Sequence, residues 1–62
     1  MTARRKYDRN KQELAELYEV LFKCESIESM NEISERIEIL LKKQEIVIEE
    51  YKKELSNKLN QN

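Results

Sequence analysis

No glycine and no proline occurs anywhere in these 62 residues. Those two residue types supply left-handed backbone, tight turns and helix stops. Strand hairpins, phosphate-cradling loops and nucleophile elbows are therefore disfavoured, and helix is favoured. Glu, Lys, Leu and Ile dominate the chain, a long-helix or coiled-coil composition. High charge with few aromatic residues also suits a disordered chain. The regular spacing of apolar residues argues against disorder and points to a chain whose order depends on a partner.

That spacing falls into two registers. Tyr7, Leu14 and Leu21 lie seven apart, Leu17 and Cys24 fill the interleaved positions, Tyr18 widens the stripe, and Asn10 is a polar exception. A second pattern begins at Met30, which shares a heptad position with Ile37, Gln44 and Tyr51, while Ile33, Leu40 and Val47 share the other. Leu41, Ile48 and Leu55 broaden this second stripe beyond a two-stranded coiled-coil seam, as bundle helices require. Continuing the first register lands on Glu28 and Asn31, both polar, so something interrupts between the two.

The interruption predicts a turn over residues 25–29. Ser29 and Glu32 have capping-box spacing, with Ser26 as the competing cap. A short connection favours antiparallel neighbours. The expected fold is all-α: an antiparallel hairpin of two unequal helices, completed into a bundle or coiled coil by self-association or a partner. Its parts are a basic N-terminal arm at 1–6, helix one at 7–24, helix two at 29–58 and a frayed tail at 59–62. A single uninterrupted helix is the competing structure, because nothing at 25–29 obliges a turn. Five glutamates stand four residues ahead of a cation (Glu19–Lys23, Glu32–Arg36, Glu38–Lys42, Glu49–Lys53 and Glu54–Lys58), and none of these pairs crosses the predicted turn.

Size makes association the expected source of stability. A single core is marginal at this length, and small folds usually need a disulfide, a metal or oligomerisation. Cys24 is the sole cysteine and there is no His, so neither an internal disulfide nor a closed zinc site is expected. No cofactor is expected either. Inside the hairpin, Leu14, Leu17 and Leu21 should meet Ile33, Ile37, Leu40 and Val47. Helix two, about 45 Å long at 1.5 Å per residue, outruns helix one, and its last third lacks a partner unless the N-terminal arm folds back. Ile39 and Ile46 lie on a face roughly opposite the core stripe, which invites a second contact surface. The expected partner-binding residues are Ile39, Leu41, Ile46, Ile48, Tyr51 and Leu55. Cys24 reads as a small core residue. Gln44 either fixes register, as a buried polar residue does in coiled coils, or simply faces water.

Charge is unevenly distributed. Residues 1–12 carry five cations and one anion, a net of +4, and residues 13–62 carry seven cations and twelve anions, a net of −5. Arg4, Arg5, Lys6, Arg9 and Lys11 are thus the residues for any nucleic-acid contact. Catalysis is not expected: with no His, one Asp and one Cys, acid–base and triad chemistry lack their usual groups, and a hairpin offers no concave site. No membrane span and no small-molecule substrate are expected. A lone cysteine with no apolar signal core after the basic start favours an intracellular setting, cytoplasmic or nuclear/nucleoid.

The stretch Lys23-Cys-Glu-Ser-Ile-Glu-Ser-Met-Asn-Glu-Ile33 resembles a helix start in the Hha/YmoA family of small helical modulators of bacterial nucleoid proteins. The Ala-Asp-His-Arg stretch of that family is absent here. The resemblance implies only an interaction protein. The expected function is a non-enzymatic protein–protein interaction module, a small adaptor, assembly or regulatory subunit. Two alternatives stand beside it: a nucleic-acid- or ribosome-associated protein anchored by its basic arm, and a homodimeric four-helix structural protein.

Overall fold

The computed structural model of the chain describes residues 2–59. Two helices, α1 (Ala3–Lys23) and α2 (Ile27–Leu59), pack against each other as a hairpin about 55 Å long and about 15 Å across. Of the predicted tail, only Leu59 is among the described residues, and it closes α2.

Both helices start earlier than their apolar patterns suggested, and both starts are capped. Thr2 accepts the Arg5 amide on its hydroxyl at 3.3 Å and the Lys6 amide on its carbonyl at 3.1 Å. The predicted basic arm is therefore the first turn of α1. Arg4, Arg5 and Lys6 sit against the positive end of the helix macrodipole. Pairing offsets part of that cost: Arg4 meets Asp8 at 3.4 Å, and Lys6 reaches across to Glu50 on α2 at 3.2 Å.

The turn comprises residues 24–26, so the predicted 25–29 is corrected at both ends. Ser26 is the cap of α2, with its hydroxyl accepting the Ser29 amide at 3.1 Å and its carbonyl accepting the Met30 amide at 3.1 Å. Starting at Ile27 places Glu28 in the first turn, where the dipole favours an anion. Ser29 is left inside the helix, accepting a hydrogen bond from the Ser26 hydroxyl at 2.9 Å. No glycine is needed because no described residue has positive φ. Cys24 leaves α1 in extended backbone (φ −66°, ψ 139°), and its amide and thiol donate to the carbonyls of Leu21 and Val20. That satisfies two of the carbonyls any helix end leaves open.

Among the described residues the core is a single seam. Leu14, Ile37 and Leu40 form its buried cluster, with Leu17, Leu21 and Ile33 packed partly buried against it, and Val47 is buried further along. Every residue expected inside the hairpin lies in this seam. Ala3, 1% exposed, extends it to the end of α1, where a small side chain lets the start of α1 approach Val47 and Tyr51. The start of α1 thus folds back along α2 as far as Tyr51. Beyond that level α2 projects about 12 Å at 1.5 Å per residue.

The two polar exceptions of the sequence meet each other. Asn10 donates from Nδ2 to Gln44 Oε1 at 3.1 Å, and Gln44 Nε2 donates to the Tyr7 carbonyl at 3.0 Å. Gln44 is only 8% exposed, so its amide is satisfied by α1 rather than by water. This contact fixes the sliding register of the hairpin, because shifting α1 by one turn leaves a buried amide without a partner. Gln44→Leu alone is expected to destabilise the hairpin by about 1 kcal/mol, and Asn10→Leu combined with it to restore or exceed the parent stability. A double-mutant cycle in urea reads the coupling, and simple additivity would contradict the register lock.

None of the five predicted glutamate–cation pairs closes to 4 Å among the described residues; Glu49 pairs instead with Lys52, three residues on, at 3.2 Å. Such exposed pairs are each worth only about 0.2–0.5 kcal/mol, too little to hold long side chains in one geometry.

Candidate functional site

A two-helix hairpin has two lateral flanks, and here they differ in chemistry. One full repeat of α-helix direction is 18 residues, five turns at 3.6 residues per turn. Arg4 and Phe22 are that far apart and so point the same way from α1, with Tyr7 and Tyr18 between them on the same side. On α2 the matching side carries Ile27, Ser34, Leu41, Ile48 and Leu55, spaced by seven. An open cleft of about 280 Å³ confirms which sides face together, since Ala3, Arg4 and Tyr7 of α1 line it with Val47, Ile48 and Tyr51 of α2. This is the apolar flank. Its large side chains are exposed, Phe22 to 85% and Ile27 to 78%.

The other flank is charged. Lys6, Arg9 and Glu13 of α1 line a shallow groove there with Lys43 and Ile46 of α2 over Leu40 and Val47, and Glu13, Glu16 and Arg36 line the next with the half-exposed Val20. Ile39, seven residues before Ile46, lies on this side of α2.

The six residues expected to bind a partner therefore do not form one surface. Leu41, Ile48, Tyr51 and Leu55 belong to the apolar flank; Ile39 and Ile46 stand apart on the other side of α2, with Ile46 beside Lys6, Arg9 and Lys43. The sequence pattern missed Phe22 and Ile27, which complete the apolar flank at the turn. A signal for Ile27 was present, because the column Leu41–Ile48–Leu55 extends back to it in steps of seven. Phe22 follows Tyr18 by four residues, but it falls outside both core columns.

The five N-terminal cations are also divided. Arg4 and Lys11 point to the apolar flank, Lys6 and Arg9 to the charged groove, and Arg5 lies one turn from Arg9 on the outer face. Arg4 and Lys6 are engaged in ion pairs within the hairpin. Among the described residues, no group of acidic, Cys or His side chains is placed to hold a metal ion, and no helix is long and apolar enough to cross a membrane.

These features define a class: a helical hairpin with one apolar and one charged flank. No family model, curated protein or solved structure matches the chain. The short resemblance at Lys23–Ile33 thus gains no support from outside that stretch.

Proposed function

We propose that this protein is a non-enzymatic packing module that works by burying the apolar flank of its hairpin against another helical surface. One observation carries the proposal. Among the described residues, five apolar side chains are buried, Ala3, Leu14, Ile37, Leu40 and Val47, whereas twelve large apolar side chains are exposed. Scattered exposed apolar residues are normal on any protein. Here Tyr18, Phe22, Ile27, Leu41, Ile48 and Leu55 share one flank, against Val20, Ile39 and Ile46 on the other, and large apolar side chains gathered on one side mark an interaction site. Packing there would add a second layer to a one-seam core, which is how two-helix units reach bundle stability. Activity of this kind fits a small adaptor, assembly or regulatory subunit.

Site-specific photo-crosslinking tests the proposal. A photo-reactive residue is placed singly at Phe22, Leu41 or Ile48 on the apolar flank, and at Arg9, Ile39 or Ile46 elsewhere, in the full chain within the cells that make it. Protein adducts, to another chain or to a second copy, are expected from the first three positions and only background from the rest. Nucleic-acid adducts concentrated at Arg9, with none from the flank, would instead support binding through the basic residues.

A further inference from the structure

We infer that the occupant of the apolar flank is a second copy of this chain, laid antiparallel, so that Phe22 of each copy enters the cleft beside Tyr7 and Tyr51 of the other. This rests on the flank-packing proposal and names its partner.

Charge selects the orientation. The Asn10–Gln44 contact divides the rod into two halves. The half with the turn, residues 12–42, has eight glutamates against three cations, a net of −5. The half with both helix ends, residues 2–11 and 43–59, has nine cations against five anions, a net of +4. Two copies side by side in parallel set like charge against like charge along their whole length. Antiparallel copies set the positive half of each against the negative half of the other.

Spacing selects the register. The column Ile27, Ser34, Leu41, Ile48, Leu55 is symmetric in position about Leu41, with fourteen residues to either end. A two-fold axis through Leu41, perpendicular to the rod, pairs Leu41 with its own copy and Leu55 with Ile27 of the second copy. Such a two-fold contact uses one patch twice. It also covers the length of α2 that projects past α1. On α1 the same axis brings Phe22, near the turn, level with Arg4 and Tyr7 at the opposite end of the second copy. There an aromatic ring finds the apolar cleft of about 280 Å³ and the Arg4 guanidinium at its edge. Lys11, the one cation near the middle of this side of α1, lies over Ala15 of the second copy, where its apolar stem can pack and its ammonium reach water. The area is adequate: a face about 55 Å long and 15 Å wide matches the roughly 800 Å² per partner of a standard interface.

The test uses molar mass across a concentration and salt series, with one distance measurement. A dimer is expected at concentrations of about 100 μM, weakened several-fold when salt is raised from about 0.05 M to 0.5 M, since opposite charges then lose attraction. Spin labels on Glu25→Cys in a Cys24→Ser background are expected more than about 30 Å apart in the dimer, because the turns lie at opposite ends. Phe22→Ala is expected to weaken association about tenfold or more without loss of monomer helicity, since Phe22 touches little within its own hairpin. A helical monomer at about 1 mM, labels closer than about 20 Å, or Phe22→Ala with unchanged association would each overturn the antiparallel dimer. None of these three touches the flank cross-links, which judge the packing proposal separately. A dimer broken by Ile39→Glu with Ile46→Glu, yet indifferent to Leu41→Glu with Ile48→Glu, would overturn both.

Discussion

Leu41→Glu combined with Ile48→Glu is expected to weaken association by about 100-fold or more, while Ile39→Glu combined with Ile46→Glu changes it only several-fold. Both pairs replace two exposed aliphatic side chains, seven apart on α2, with two carboxylates. They differ in direction from the helix axis. Leu41 and Ile48 are 45% and 43% exposed, so burying what remains of each on association contributes about 0.7–1.3 kcal/mol, and four such side chains in a two-fold pair reach the roughly 2.7 kcal/mol of a hundredfold change. On the charged flank Ile46 already borders Lys6, Arg9 and Lys43. A glutamate there meets cations and gives up no area that association would bury. Sedimentation across a dilution series reads both variants. Equal effects from the two pairs would mean that burial does not distinguish the flanks.

Leu40→Ala is expected to cost about 2–5 kcal/mol, the usual range for truncating a buried leucine. Leu40 is buried against Leu14 and Ile37 at the centre of the seam. A chain of this length has a total stability of about 3–9 kcal/mol at 0.05–0.15 kcal/mol per residue. The variant is therefore expected to lose most of its helical circular dichroism at 37 °C. Leu59→Ala, which removes an exposed leucine at the end of α2, is expected to stay within about 0.5 kcal/mol. A cooperative melt for Leu40→Ala within a few degrees of the parent would show that the seam is not what holds the helices together.

The seam was the most legible part of this fold. Leu14, Leu17, Leu21, Ile33, Ile37, Leu40 and Val47 follow from spacing alone, because a helix repeat places them on one side whatever the neighbouring chain does. The end points were less legible. Thr2 is a short polar residue with no heptad role, and its capping is visible only once the amides it accepts are in place; Ser26 was one of two candidate caps, and the Ser29 and Met30 amides decide between them. The pairing of Asn10 with Gln44 was hidden for a related reason: each residue looked like a local fault in its own register, and only the alignment of α1 on α2 brings the two amides together. For the flank, spacing marked Leu41, Ile48 and Leu55 together with Ile39 and Ile46, although the two sets lie on opposite sides of α2. A heptad count finds apolar residues that share a side of one helix. It does not tell which side the neighbouring helix leaves apolar, and that depends on where Tyr7, Tyr18 and Phe22 fall on α1.

Thiol accessibility at two neighbouring positions tests the central claim, burial of the apolar flank, most directly. Ile46→Cys and Ile48→Cys, each in a Cys24→Ser background, place single thiols two residues apart on α2, one on each flank. At concentrations where the chain is associated, the thiol at 46 is expected to react with maleimide at the rate of a free cysteine. The thiol at 48 is expected to react at least tenfold more slowly and to recover on dilution, because an associated flank must open before it can react. Equal rates at the two positions under associating conditions would contradict the account.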